Sequence, residues 1–287
     1  MNCRSLSRHI GLGSLSLVVL TVLVNGSGLA EPPARAEDIQ VRGRLVICGG
    51  GELPAEVRAR IIELAGGPKA RFLVIPTASS LAETDPPESW LQPWKAAGVE
   101  SPTLFHTRSR EQANDPGFTQ PLDQATAVWI SGGDQSKLTE VYLGTLVEKK
   151  LEELLVRGGL IGGTSAGAAC MTRVMITGGR ETATLGRGFD FLPGAIVDQH
   201  FLRRNRFGRL LGALSEKPEL IGLGIDESTA AIVQPGKLEV AGRSYVLVIR
   251  SQGAGKPARV DAFHKGESIA WPPQAVSSPT APAAVKP

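Results

Sequence analysis

The chain has 287 residues, of which 31 are Lys or Arg, 28 are Asp or Glu, and 42% are hydrophobic. A net charge of only +3 with this apolar content excludes a disordered chain, and the lack of a basic excess argues against a nucleic-acid binder. Three cysteines are too few for a disulfide framework. The composition is that of a globular protein, long enough for one large domain or two small ones.

Residues 1–36 have the pattern of an export signal followed by a short linker. Arg4 and Arg8 give a positive start, and the apolar segment 15–24 precedes a run of small residues. The apolar segment is short for a membrane-spanning helix, although an uncleaved anchor is the alternative. We therefore expect a secreted or periplasmic protein whose mature form begins near Glu31 or Glu37, with no stable membrane partner once the signal is cleaved.

From residue 37 onwards, short apolar segments alternate with helical patterns, which is typical of a parallel sheet covered on both faces. The predicted strands are Arg44–Cys48, Arg71–Pro76, Thr103–His106, Ala125–Ile130, Leu160–Gly162 and Ala195–Gln199, and the predicted helices are Pro54–Ala65, Glu88–Ala97 and Gln135–Arg157. After Ile221 the pattern changes to hairpins. We therefore predict one α/β domain over residues 37–265, a parallel-sheet three-layer sandwich with an antiparallel C-terminal edge. Residues 266–287, rich in Pro, Ala and Ser, are predicted to be a disordered tail.

Three glycine-rich turns follow predicted strands, at Gly49–Gly51, Gly132–Gly133 and Gly162–Gly163. The carboxyl ends of parallel strands line the ligand crevice of an open sheet, so these turns are expected to converge there. None of them spells the dinucleotide signature G-x-G-x-x-G, and no Walker Gly-Lys-Ser/Thr occurs. The chain also lacks H-E-x-x-H and clustered Cys and His, so the sequence predicts neither a cofactor nor a metal.

The segment Gly163–Gly167 fits the pattern G-x-S-x-G between a predicted strand and an apolar helix. A serine on such a sharp turn adopts a strained backbone, and the residues two before and two after it must be small. The turn would expose the Ser165 hydroxyl, and the Ala166 N–H would supply an oxyanion donor. A tight structural turn is the alternative, because a chain with 34 glycines matches this pattern by chance at times.

A serine nucleophile needs a base, and the predicted mature chain offers His106, His200 and His264. His200 follows an apolar strand, where the crevice is expected, whereas His106 lies in a loop. His264 lies near the predicted tail but would give the Ser-acid-His order of an α/β-hydrolase. Asp226 and Glu227 follow another apolar strand and are the acid candidates. Adjacent side chains of an extended segment point to opposite faces, so only one of the two can reach an imidazole.

These segments resemble, in order and over roughly residues 43–250, the family of serine peptidases that contains cyanophycinase and the aspartyl dipeptidases. The matching segments are Gly132–Gln135, Gly162–Gly167, Asp198–Phe201 with Arg204, Arg206 and Arg209, and Gly224–Glu227. By this resemblance Ser165 is the nucleophile, His200 the base and Glu227 the orienting acid, with Ala166 and Gly133 at the oxyanion. The residues implied to line the substrate site are Gln135, Asp198, Gln199, Arg204, Arg206 and Arg209.

The resemblance also implies a flavodoxin-like fold similar to the class I glutamine amidotransferases, and a homodimer. The basic segment is more similar to the members that degrade cyanophycin, so the expected substrate is cyanophycin or a related β-linked Asp-Arg peptide. An aspartyl dipeptidase-type peptidase acting on other acidic peptides is one alternative. A non-catalytic protein that binds Asp/Arg-rich peptides is the other.

The expected substrate has an aspartate backbone with arginines on its side-chain carboxyls, so it presents carboxylates and guanidiniums together. Arg206 and Arg209 are three residues apart on a predicted helix and would hold a carboxylate in bidentate fashion. Asp198 and His200 are two apart on a predicted strand, so both would point to one side. Asp198 would then receive a substrate guanidinium beside the base. A solvated basic helix face over residues 203–209 is the alternative.

Overall fold

Eight strands form the central sheet in this computed structural model, which describes residues 41–252 and 256–273. In spatial order they are β14 (Ser268–Trp271), β11 (Gly236–Gly242), β10 (Thr229–Gln234), β1 (Arg44–Cys48), β5 (Leu160–Thr164), β4 (Ala127–Ile130), β2 (Phe72–Ile75) and β3 (Thr103–Leu104). The pairs from β1 through β5, β4 and β2 to β3 are parallel. The pairs from β1 through β10 and β11 to β14 are antiparallel. The predicted parallel sheet with an antiparallel C-terminal edge is therefore confirmed.

The remaining strands form two smaller sheets that were not predicted. The four-stranded sheet has the order β13 (Arg259–Phe263), β12 (Val246–Arg250), β9 (Ile221–Ile225) and β8 (Ala195–Gln199). Within it β8 and β9 are parallel, and β12 is antiparallel to both of its neighbours. The other sheet is a hairpin of β6 (Val174–Gly178) and β7 (Thr184–Arg187). Strand patterns in the sequence identify extended segments but not their partners, so the second sheet could not be distinguished from the first.

Eight helices are found among the described residues. They are α1 (Ala55–Ala65), α2 (Pro87–Ala97), α3 (Arg110–Ala113), α4 (Pro116–Gln124), α5 (Gln135–Tyr142), α6 (Leu146–Val156), α7 (Ala166–Ala169) and α8 (Phe207–Glu216). The single helix predicted over Gln135–Arg157 is wrong: α5 ends at Tyr142, and Gly144, with φ +73°, breaks the chain direction before α6. A glycine in the left-handed region commonly ends a helix.

Alternate residues of the central strands pack on opposite faces of the sheet. In β1, Leu45 and Ile47 belong to one apolar cluster, whereas Val46 and Cys48 belong to another. A strand whose two faces are both buried lies between two layers of helices, as in a parallel three-layer sandwich. The apolar residues of β1 therefore hold the strand in the middle of the domain, with its carboxyl end beside the ends of β5 and β4.

The predicted boundary between the domain and a tail from residue 266 is wrong, because β14 lies beyond it. Ser268–Trp271 pairs with β11, and Trp271 is 3% exposed. A four-residue strand containing Ser and Ala has too weak a pattern to be recognised against its Pro-rich surroundings. The remainder of the predicted tail from residue 274, and the predicted export signal, lie outside the described residues.

Cys48 and Cys170 are buried free thiols. Burial raises the pKa of both thiols well above its ordinary value, so neither carries thiolate character. Within the described part of the chain, no helix is both long and apolar enough to cross a bilayer.

Candidate active site

Ser165 occupies a sharp turn between β5 and α7. Its backbone has φ +53° and ψ −111°, a region that L-residues rarely adopt. A Cβ on Gly163 would lie 2.4 Å from the Gly167 carbonyl oxygen, and one on Gly167 would lie 2.2 Å from the Ile130 carbonyl oxygen. Both glycines are therefore required for the turn to form. The backbone strain expected for a serine in the pattern G-x-S-x-G is present.

A chain of hydrogen bonds connects Ser165, His200 and Glu227. The His200 Nε2 lies 3.0 Å from the Ser165 Oγ, and the His200 Nδ1 lies 2.6 Å from the Glu227 Oε1. His200 follows β8 and Glu227 follows the adjacent parallel strand β9. With the proton on Nδ1 donated to the carboxylate, Nε2 is free to accept the serine hydroxyl proton. Such an arrangement can activate a hydroxyl for attack on a carbonyl carbon.

The turn at Gly49–Gly51 places this imidazole against the serine. The His200 N–H donates to the Gly49 carbonyl at 2.6 Å, and the Ser228 N–H donates to the Gly50 carbonyl at 2.8 Å. A Cβ on Gly50, whose φ is +105°, would lie 2.2 Å from the His200 Cε1. The expected convergence of this turn on the crevice is observed. Its contact with His200 was missed, and only the glycine run itself could have indicated it.

The surroundings of His200 favour the neutral imidazole. Burial lowers the pKa of His200, and the positive charges of Arg204 and Arg206 lower it further. The hydrogen bond and the negative charge of Glu227 act in the opposite direction. An imidazole whose pKa is below its ordinary value is unprotonated at neutral pH, and therefore its Nε2 can accept a proton.

The other candidate bases lie elsewhere in the described structure. His264 is exposed, and its Nδ1 lies 3.1 Å from the Lys265 carbonyl oxygen. His106 lies between Thr77, at 2.7 Å, and Glu83, at 3.1 Å. Thr77 is fully buried, so this second Thr-His-Glu arrangement presents no accessible hydroxyl.

Asp226 and Glu227 have different partners, although they are adjacent in the chain. Asp226 accepts a hydrogen bond from the Arg203 N–H at 2.9 Å and another from the Ser244 hydroxyl at 2.8 Å. Its carboxylate therefore fixes the backbone at Arg203, the first residue of the arginine-rich turn that follows His200. Of the two acids, only Glu227 hydrogen-bonds to the imidazole.

Two residues, Ala166 and Gly133, were expected to donate their N–H groups to the oxyanion, and they lie on either side of the serine turn. Ala166 is the first residue of α7, where the N–H has no carbonyl acceptor within the helix. The Gly132–Gly133 turn approaches from the end of β4, so that a Cβ on Gly132 would lie 3.3 Å from the Ser165 Cβ. Gly133 has φ +140° and packs against the Ala78 carbonyl, which accepts the Asp134 N–H at 2.9 Å.

Asp198 and Arg209, both expected to contact the substrate, form a buried ion pair with each other. The Arg209 Nε lies 2.7 Å from the Asp198 Oδ2, and the Nη2 lies 2.5 Å from the Oδ1. Asp198 is 0% exposed and Arg209 is 4% exposed. Each side chain therefore already has its counter-ion within the protein. His200 has φ +49°, so the alternation of a strand on which Asp198 and His200 were expected to share one side does not extend to His200.

Three further residues expected at the substrate site are also engaged within the protein. The Gln135 Nε2 donates to the carbonyls of Ile176 and Thr177, at 2.7 and 2.9 Å. The Arg206 Nη1 donates to the backbone carbonyl and the Oε1 of Gln199, at 2.7 and 2.9 Å. Of the six residues predicted to line the substrate site, Arg204 alone is exposed.

The α/β fold, the strained Ser165 and the hydrogen-bonded imidazole at the strand ends define a hydrolase of the serine type. Residues 45–241 match peptidase family S51, so the chain belongs to this family and is a serine-type peptidase. This finding confirms the family resemblance and the flavodoxin-like class of fold.

Curated relatives and a solved structure agree with this assignment. The chain is 34% identical over 224 residues to a cyanophycinase of Geminocystis herdmanii, covering 74% of this chain and 82% of that protein. It is 34% identical over 222 residues to a cyanophycinase of Synechococcus elongatus, covering 72% and 68% respectively. The crystal structure of a peptidase from an acI-B1 Actinobacterium is 27% identical, covers 81% of this chain and 98% of its own, and superposes with a TM-score of 0.60.

Proposed function

We propose that this peptidase hydrolyses cyanophycin, or a closely related β-linked Asp-Arg polymer, to β-Asp-Arg dipeptides. The observation that carries the proposal is the hydrogen-bond sequence from Glu227 through His200 to Ser165 on a strained turn. Relatives named cyanophycinase, about a third identical to this chain over three quarters of its length, support the choice of substrate.

In the proposed reaction the Ser165 Oγ attacks the backbone carbonyl carbon while the His200 Nε2 takes the hydroxyl proton. Glu227 accepts a hydrogen bond from the His200 Nδ1–H and stabilises the imidazolium that forms. The N–H groups of Ala166 and Gly133 are assigned to the oxyanion of the tetrahedral intermediate. His200 then returns the proton to the leaving amine, and water hydrolyses the acyl-enzyme by the same route in reverse.

The charge around the site suits a substrate rich in carboxylates. Each arginine of the polymer is joined through its α-amino group, so its α-carboxylate stays free. Arg204 and Arg206 line a cavity at the turn that follows His200. Guanidinium groups bind carboxylates with charge-assisted hydrogen bonds, so this cavity would attract the polymer rather than an apolar peptide.

The test is to incubate the purified protein with cyanophycin and to identify the products by mass. We expect β-Asp-Arg dipeptide from the wild type, none from His200→Ala, and turnover within a few fold of wild type from His264→Ala. Turnover that survives His200→Ala and is lost in His264→Ala would overturn the site assignment. An inert polymer with rapid cleavage of aspartyl dipeptides would instead favour the dipeptidase alternative.

We further propose that the protein is exported, because its N-terminal segment has arginines first, then the apolar segment 15–24, and then a run of small residues. N-terminal sequencing of protein from outside the cytoplasm should begin near Glu31 or Glu37. Chains beginning at Met1 and confined to the cytosol would contradict export.

The homodimer implied by the family resemblance is tested by sedimentation of the mature protein, which should give twice the mass of one chain.

A further inference from the structure

A cavity of about 560 Å³ lies at the turn that follows His200, and arginines dominate its wall. Its lining residues are Gly179, Arg180, Arg203, Arg204, Asn205 and Arg206. Residues 203–206 follow His200 directly, and the Arg204 N–H donates to the His200 carbonyl at 3.0 Å. Gly179 and Arg180 come from the tip of the hairpin of β6 and β7. None of the lining residues is acidic, and the volume is that of a small-molecule site.

Two side chains that were expected to touch substrate donate hydrogen bonds to the backbone of this hairpin. Arg209, paired to Asp198, donates through Nη1 to the Gly179 carbonyl. Gln135 donates to the carbonyls at the end of β6, as described above. The hairpin tip is thus anchored to α5 and α8, and the backbone on which Arg180 stands has a defined position at the cavity wall.

The guanidinium groups around the cavity differ in whether they have partners within the protein. Arg206 hydrogen-bonds to Gln199 and lies 3.5 Å from the Asp198 Oδ1, so its charge is partly offset within the protein. Arg180, Arg203 and Arg204 are exposed, and their side chains form no ion pair within the described part of the chain. Burial and the nearby charges of Arg209 and Arg204 lower the pKa of Arg206. Positive charge is therefore in excess here.

We propose that Arg180 and Arg203 form, together with Arg204, a carboxylate-binding subsite in this cavity. It would hold the free α-carboxylate of the arginine in the repeat unit next to the unit being released. The inference rests on the proposed function, because it takes the substrate to be a chain that repeats one carboxylate per unit. An enzyme with such a subsite binds a polymer more tightly than a fragment too short to reach it.

The test compares Arg180→Ala and Arg203→Ala with Arg187→Ala. Arg187 is exposed at the opposite end of the same hairpin, paired with Val174, and does not line the cavity. The substrates are β-Asp-Arg oligomers of two and four units, and matched oligomers with agmatine, which lacks the carboxylate, in place of arginine. We expect each cavity variant to raise KM for the four-unit arginine oligomer about tenfold with kcat unchanged, as for one charge-assisted contact.

The agmatine oligomers complete a double-mutant cycle. The cavity variants and the wild type should cleave them with the same KM, because the group that the arginines bind is gone. Equal KM values for Arg180→Ala, Arg203→Ala and Arg187→Ala on the arginine oligomers would overturn the subsite while leaving the proposed function intact. A wild type that cleaves no oligomer would overturn both. Fluorophosphonate labelling of Ser165 should be unchanged, and Arg180→Gln, which keeps the chain length, should reproduce the effect.

Discussion

Replacement of Gly50 by alanine tests how the His200 imidazole is held against the serine. The new Cβ would lie 2.2 Å from the His200 Cε1 and 2.4 Å from its Nε2, where 3.4 to 4 Å is ordinary contact. The ring must therefore move by about 1 Å, which breaks the 3.0 Å hydrogen bond to Ser165. A misplacement of about 1 Å can reduce turnover about 100-fold, so we expect at least that loss in kcat/KM.

Gly66→Ala is the matched control. Gly66 has φ +107°, close to the +105° of Gly50, and nothing lies within 4 Å of its Cβ position. Both variants carry the same backbone penalty, about 1–3 kcal/mol in the free energy of unfolding, but only Gly50→Ala displaces the imidazole. The assays are denaturant unfolding and the rate of fluorophosphonate labelling of Ser165. Equal labelling rates in the two variants would refute the argument that Gly50 is required for the contact with His200.

Three further predictions follow from the same geometry. Glu227→Gln should lower kcat by about 10⁴-fold with the fold intact by circular dichroism, because the amide no longer stabilises the imidazolium; a loss below tenfold would exclude Glu227 as the orienting acid. Asp198→Asn should lower the free energy of unfolding by about 3–5 kcal/mol in denaturant titrations, because Arg209 is left buried and unpaired; unchanged stability would contradict a structural pair. Arg204→Ala should move the acid limb of Ser165 labelling to higher pH, because removing a positive charge raises the pKa of His200; a shift to lower pH has the wrong sign.

The sequence predicts the central parallel strands, and it predicts that the glycine-rich turns after them lie close together, because both depend on local signals. Apolar runs such as Arg44–Cys48 identify buried strands, and carboxyl ends of parallel strands always share one edge of a sheet. Gly163 and Gly167 likewise predict the strained serine between them. The turns that surround Ser165 could thus be identified from the sequence.

Other parts of the site depend on packing between distant segments and could not be predicted. The spacing of Arg206 and Arg209 suggested one helix face, but α8 begins at Phe207, so Arg206 lies outside the helix. Arg209 then turns inward to the carboxylate of Asp198, at the end of a strand in the second sheet. Which of several nearby charges becomes the partner is decided by tertiary packing, and the three-residue spacing of two arginines does not reveal that packing.

The charges next to His200 predict that its strength as a base depends on the substrate. Burial lowers the pKa of His200, Arg204 and Arg206 lower it further, and Glu227 raises it. Under the proposed function, a substrate carboxylate in the cavity offsets part of the positive charge, so the pKa of His200 should rise when substrate binds.

The acid limb of the pH profile of kcat/KM reports the pKa of His200 in the free enzyme, and that of kcat reports its pKa in the complex. With a β-Asp-Arg oligomer, the limb of kcat should therefore lie at higher pH than the limb of kcat/KM. With an agmatine oligomer the two limbs should lie closer together, because no carboxylate enters the cavity. Coincident limbs on the arginine oligomer would mean that the arginines and the imidazole are not coupled through the substrate.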